Sequence, residues 1–382
     1  MATAVIGRAI AADGSSGHWH LHPVGQMMSG MRPFPAHLAV AAVVFVALAP
    51  VPAVHAEPPP AALKDVPLPF LWPSAGIYSV AAVTDTEAWV AGRQGQFGDN
   101  HGNPVVRRRM GSQWKEYPLN GWSGTGSIAQ VVAHGGEIWA WGVQDGERLY
   151  LARFDGSAFQ PVAAPPDVAY AYGTRLWAGP AGVWVQIDGP GPGNQLLPVL
   201  FRRVGNTWVA DPVARPLQYG LADLQARNAN EAWTGSCRYN TITERQESVV
   251  LRWNGSIWTT LPPLPTERCV TSVAPAADGS VWALTWDTLY RWNRTTWTAP
   301  PAGAFDSHGS KVRLDKDGNP LVVLSRAFLY GTAPLLRYAG GTWQTFATPV
   351  EAWAHDVSVA PSGRIWVTGN TRNNSPLLLT SP

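Results

Sequence analysis

Two histidines, His308 and His355, an arginine, Arg268, and four tyrosines, Tyr78, Tyr170, Tyr172 and Tyr219, are the side chains best suited to act on a polar or anionic ligand. Imidazole exchanges protons near neutral pH, and guanidinium presents a planar fork of donors to oxyanions. Each of these residues stands near the start of a short alternating apolar run. Three tryptophans, Trp122, Trp286 and Trp353, lie in connecting segments outside the regular pattern and are candidate ligand contacts. Ser123-Gly124-Thr125-Gly126-Ser127 is too small a fragment to indicate phosphate binding. No G-x-S-x-G, H-E-x-x-H or clustered histidine set follows the leader, so no cofactor or metal is expected. Carboxylates are scattered over turns, and no acid/base pair can be assigned from spacing alone.

What must position these groups is a repeat. The stretch from Val270 to Pro300 holds four short alternating runs separated by turn residues, the pattern of an antiparallel meander. A tryptophan in the second run recurs at Trp89, Trp139, Trp184, Trp233, Trp282 and Trp366, with Leu321 in the remaining slot, at intervals of 39 to 50 residues. That period is the length of a four-stranded propeller blade. A second marker follows each time, ending in Trp114, Phe159, Trp208, Trp258, Trp297 or Trp343. The last repeat stops after its third run, at Leu377-Leu378-Leu379. The segment Pro69-Phe70-Leu71-Trp72-Pro73 is of fourth-strand type, and Trp72 is expected to fill the empty slot and close the ring, which removes exposed strand edges. The expected fold is all-β, a seven-bladed β-propeller of four-stranded antiparallel blades over residues 57–382.

Segments such as DGSVWALTWDTLYRWNRTTWTAP and SGRIWVTGN resemble the propeller repeats of two-component-regulator sensor domains and of tectonin-type lectins. The resemblance covers nearly all of residues 64–382 and implies the fold; those families share the blade and differ in ligand.

The repeat explains most of the 20 tryptophans as packing between blades. Trp141 and Trp177 are expected to be strand packing as well. In a propeller, the connections between blades and the second-to-third-strand loops emerge on one face. Trp122, Trp286 and Trp353 fall in them, as do the long loops Arg93–Pro104, Asp188–Pro198 and Cys237–Gln246. Cys237 and Cys269 map to the same rim of adjacent blades and are expected to form a disulfide. Asp315-x-Asp317-Gly318-Asn319 has the opening spacing of a calcium loop, but it coincides with a turn every repeat possesses and lacks the downstream bidentate Glu. Asp155-Gly156-x-x-Phe159 approaches a sialidase Asp box with one residue missing and no leading Ser.

Composition limits the partners. The formal net charge is +2, with 14% charged residues and no basic stripe or amphipathic run, so neither nucleic acid nor membrane insertion is expected. Met31-Arg32, the apolar run Leu38–Leu48 and Val54-His55-Ala56 have the form of a signal peptide cleaved after Ala56, with translation starting at Met1, Met27, Met28 or Met31. The apolar run is too short for a spanning helix. The expectation is therefore an exported monomer, a non-catalytic recognition or scaffold module binding carbohydrate or a protein partner through its uneven loop face. The alternative is an extracytoplasmic hydrolase or lyase working in the central funnel.

Overall fold

The computed structural model describes residues 62–382 apart from 99, 167–173, 191–195, 212–219, 302–307 and 326–333. Those residues form seven four-stranded antiparallel sheets and no helix. Blade 1 runs from Gly76 to Glu116, blade 2 from Gly126 to Pro161, blade 3 from Arg175 to Asp211 and blade 4 from Leu224 to Thr260. Blade 5 spans Val270 to Thr298, blade 6 Gly309 to Thr345 and blade 7 Ala352 to Thr380. Two segments expected as long loops, at 188–198 and 237–246, are mostly extensions of the second-to-third-strand hairpins of blades 3 and 4.

The repeated tryptophans pack from one blade onto the next, because a single meander cannot cover both its faces. Trp89 of blade 1 meets Phe159 of blade 2 edge-on at 5.6 Å, and Trp184 of blade 3 meets Trp253 and Trp258 of blade 4 at 5.5 and 5.6 Å. Trp89, Trp139, Trp184 and Trp366 are almost completely buried. An arginine on the third strand stands opposite most of these rings: Trp89 pairs with Arg108, Trp184 with Arg202, Trp233 with Arg252 and Trp282 with Arg291. Their guanidinium carbons lie 5.2–5.6 Å from the ring centres. Arg108, Arg252 and Arg291 also pair with Glu87, Glu231 and Asp278 at the first-to-second-strand turns. In blade 6, Leu321 replaces the indole, yet Arg337 still pairs with Asp315 at 2.7 Å. Asp315 also accepts from the amides of Asp317 and Asn319, so the calcium-like motif is a blade turn with its carboxylate fully engaged.

An N-terminal strand does close the ring, but not the one expected. Lys64–Asp65 pairs with Thr380 and Leu379 on the outer edge of blade 7. Leu63, deeply buried, fills the slot that Phe159 holds in blade 2: its amide donates to Ala347 O at 2.9 Å, as that of Phe159 donates to Pro118 O. Trp72 lies nine residues further on and is 58% exposed, packed edge-on against Phe70, its amide donating to Gln94 Oε1. The aromatic, Pro-flanked segment serves as the bridge from blade 7 to blade 1, while the short edge strand needs only a buried leucine and two backbone partners.

The first strands surround the channel, and most are irregular at one shared position. In blades 1, 2, 5, 6 and 7 one extra residue interrupts the ladder: Tyr78, Ala129, Thr271, Ser310 and His355. A bulge re-aims its side chain out of the ladder, and all five of these residues line the central cavity. In blades 1, 2 and 7 the neighbouring second strand is bare beside the bulge, at Gly92, Gly142 and Gly369. A Cβ at Gly92 or Gly369 would stand 1.9 Å from the carbonyl oxygen of Gly76 or Trp353, and one at Gly142 would stand 2.3 Å from that of Ser127.

Candidate functional site

The channel opens at the first-strand starts into a cavity of 970 Å³. Its floor is a layer of buried charge. Asp356 of blade 7 accepts from Ser79 Oγ at 3.0 Å and Val80 N at 3.1 Å in blade 1, and Lys311 Nζ of blade 6 donates to it as well. Asp223, at the start of blade 4, accepts from Ser272 Oγ of blade 5 and Arg313 Nη1 of blade 6, both at 2.6 Å. Ser79 and Ser272 then exchange hydrogen bonds with the backbones of Val131 and Val312 in the following blades. Burial pushes the Asp223 carboxyl up, but Arg313, Lys311 and Ser272 together bring it below the usual carboxylate range. Asp223 faces the mouth cavity, while Arg313 faces a smaller cavity of 270 Å³ bounded by the ends of the first strands.

Two aromatic and cationic groups stand above this floor. Between blades 5 and 6, the rings of Trp286 and His308 lie 4.0 Å apart at 37°. Arg268, from the connection before blade 5, holds its guanidinium 5.8 Å from the Trp286 ring and 3.9 Å from Asp287. Trp286 is 46% exposed. The Cys237–Cys269 disulfide, expected from the sequence, borders the same cavity and ties blade 4 to the segment entering blade 5.

The second group lies between blades 7 and 1, around a side pocket of 500 Å³. Tyr78, Arg93, Trp353, His355, Asn370 and Asn374 line it, and Tyr78 and His355 face the main cavity as well. The Tyr78 and His355 rings meet edge-on at 6.2 Å, and the Arg93 guanidinium lies 5.8 Å from the Tyr78 ring. Burial lowers the His355 pKa from 6.5, with Asn370 and Asp356 pulling it the other way. Burial raises that of Tyr78, against the effect of Arg93. His355 is therefore neutral near pH 7 and able to accept a proton.

Among the sequence candidates, then, Arg268, Trp286 and His308 converge, as do Trp353, His355 and Tyr78. Trp122 does not join them: it packs edge-on against Tyr150 at 5.0 Å, and its indole nitrogen donates to Gly124 O. The Ser123–Ser127 segment is likewise a built turn, with Asp145 accepting from Thr125 N. Tyr170, Tyr172 and Tyr219 lie outside the described residues. Trp141 and Trp177, read as strand packing, also form cavity wall, with indole nitrogens donating to Gln130 Oε1 and Asp223 Oδ1. Arg93 and Asn370 went unnoticed in the sequence. Each directly follows a glycine that faces the first-strand bulge, Gly92 or Gly369, and that slot is the signal that locates them.

The comparisons agree on architecture. The structure superposes on streptogramin B lyase with a TM-score of 0.54 and 13% identity, covering 83% of this chain and 96% of that one. It matches YCF48 from Cyanidioschyzon merolae with a TM-score of 0.55 and 15% identity, over 84% and 98% of the two chains. It also matches the extracellular domain assigned to a hybrid two-component system of B. thetaiotaomicron, with a TM-score of 0.55, 12% identity and coverage of 84% of this chain and 39% of that chain. This chain is a seven-bladed β-propeller. No protein-family model and no curated protein matches it. At such identities the likeness shows the fold, and function has to be argued from the site.

Proposed function

We propose that this propeller is an exported recognition module that binds a carbohydrate at the mouth of its central channel. The observation that carries this reading is the Trp286 group: an indole nearly half exposed inside a concave mouth, with the His308 ring tilted against it and Arg268 beside it. An aromatic face supplies area for the CH face of a sugar, and the charged and hydroxyl groups of the wall supply orientation. The disulfide and the extracellular origin of one similar propeller support export. The test is titration calorimetry with neutral and acidic oligosaccharides against the wild type and Trp286→Ala. The expected result is at least a tenfold loss of glycan affinity in the variant. Unchanged affinity in the variant, or no glycan binding by the wild type, overturns the reading.

A second reading is favoured by one observation: His308 and His355 both face one cavity, and His355 is neutral at physiological pH, as a general base requires. Streptogramin B lyase and virginiamycin B lyase from Staphylococcus aureus are among the similar structures, the latter also as a catalytically inactive histidine-to-alanine variant with quinupristin. A hydrolase or lyase at this mouth would release new chain ends from a bound ligand with time. His355→Gln would abolish that release.

A further inference from the structure

The side pocket between blades 7 and 1 holds an unusual concentration of unused hydrogen-bonding capacity. Arg93 Nε, His355 Nε2 and Asn370 Oδ1 are all buried and none makes a hydrogen bond of full geometry among the described residues, although the Asn370 amide lies close enough to His355 to raise its pKa. Native interiors pair almost all such atoms, and leaving one unpaired is costly. Three in one cavity of 500 Å³, a volume typical of small-ligand sites, mark a place built for something to complete it.

The positions are fixed by the fold. Arg93 lies on the second strand of blade 1, paired with Gly76 on one side and Pro104 on the other. Gly76 leaves room for the Tyr78 ring, whose nearest atom would stand 2.7 Å from a Cβ there. Asn370 lies on the second strand of blade 7, and its Nδ2 donates to Asn374 Oδ1 at 2.7 Å, which leaves Oδ1 as the available acceptor. His355 is the bulged residue of the first strand, anchored by its neighbour Asp356 to blade 1. No described carboxylate pairs with Arg93, in contrast to Arg107 and Arg108 on the adjacent strand, which pair with Glu116 and Glu87.

These groups define their ligand. Arg93 calls for an anion and, as a planar fork, favours a carboxylate. Asn370 Oδ1 accepts only, so the ligand must also present a donor close to that carboxylate. His355 Nε2 can donate to or accept from the same donor group, and the Trp353 indole offers an apolar wall. A carboxylate flanked by hydroxyls on a saturated ring meets all of these demands, whereas a neutral sugar lacks the charge and a simple anion lacks the donor. We propose that the pocket binds one hexuronic acid unit, so that the mouth selects acidic over neutral carbohydrate. This deepens the recognition reading and rests on it.

Titration calorimetry on the folded chain uses glucuronate and galacturonate as probes, with glucose, galactose, acetate and glutamate as comparators. The hexuronates should bind at least tenfold more tightly than any comparator. Arg93→Gln should abolish that preference and Arg93→Lys should retain part of it, with thermal unfolding of both variants showing that they fold. Trp286→Ala should leave hexuronate affinity within about twofold while weakening longer glycans. Equal binding of glucose and glucuronate, tighter binding of glutamate, or a hexuronate affinity indifferent to Arg93→Gln overturns the proposal. If neutral glycans bind through Trp286 and hexuronates do not bind, the side-pocket assignment fails alone. If nothing binds, the recognition reading fails with it.

Discussion

The two groups at the channel mouth use nearly the same residue types and are in opposite physical states. Arg268 and Trp286 stand in the open, the cation beside Asp287 and the indole, and the half-buried His308 ring lies against that indole. Arg93, Trp353 and His355 are sunk between two blades, and two of the three carry a buried polar atom without a partner. An exposed group can lose a contact to solvent at little cost, so it tolerates change and suits broad contact with a ligand. A buried group with unmet hydrogen bonds must be held in place by its surroundings. Here the support is the charge layer directly beneath it, reached through the peptide joining His355 to Asp356.

The sharpest way to break that comparison is to remove the support. Asp356→Ala strips the acceptor from Lys311, Ser79 and Val80 at once, and Asp223→Ala does the same to Arg313 and Ser272. Either change leaves a cation stranded in the channel, and a loss of about 3–5 kcal/mol is expected in denaturant unfolding. The Asp223 carboxyl adds a pH signature. Its folded pKa lies below the unfolded value of 3.8, so the unfolded chain binds more protons in the interval between them. Its contribution is therefore complete above that value and is lost as pH falls through the folded one. Asp223→Asn should flatten that acid limb of the stability profile and leave the profile above about pH 5 parallel to the wild type.

The disulfide comes next. Cys237 and Cys269 are separated by 32 residues, and removing both with serine should cost about 3.7 kcal/mol by the loop-closure estimate. The effect should be local to one side of the mouth. Hydrogen exchange should rise around Arg268 and Val270 and stay unchanged around Tyr78 and Val80. An equal rise on both sides would show that the two groups are one mechanical unit.

The sequence displays the blade count and the tryptophan slots because each rests on a local signal repeated at a fixed period, and the repeat in turn places Cys237 and Cys269 on one rim. The closing strand carries no such signal. Lys64–Asp65 is two residues long, and its register depends on Leu63 reaching Ala347, a contact with nothing local to announce it, whereas Trp72 looks like a fourth-strand residue and is not. The same limit explains the site. Arg268, Trp286 and His308 come from separate connections and stand out by residue type, so they can be nominated without knowing their distances. Arg93 and Asn370 stand in strands among ordinary neighbours. What sets them apart is one buried polar atom each, Arg93 Nε and Asn370 Oδ1, without a hydrogen bond of full geometry, which is a property of three-dimensional surroundings. Trp122 shows the reverse error, a loop tryptophan that packs on Tyr150.

Two smaller effects sharpen the contrast between the groups. Asn370→Leu removes an orphaned buried oxygen at the loss of one hydrogen bond to Asn374, which is exposed and can turn to water. Replacing an unpaired polar group with an apolar one of similar size is neutral to stabilising, so thermal unfolding should change by no more than about 1 kcal/mol, in the direction of a gain. Hexuronate binding should disappear in the same variant, separating function from stability at one residue.

Arg268→Ala should have the smallest effect. Its side chain is 60% exposed, Asp287 is 55% exposed, and the nearest approach is 3.9 Å. A pair of this kind is worth well under 1 kcal/mol because water screens it and ordering two long side chains offsets the attraction. The expected shift in unfolding is within about 0.5 kcal/mol, while glycan affinity falls because the cation beside the Trp286 ring is gone. A stability loss comparable to that of Asp356→Ala would mean that the exposed group also holds the ring together. The difference between the two sides of the mouth would then be one of solvent access alone.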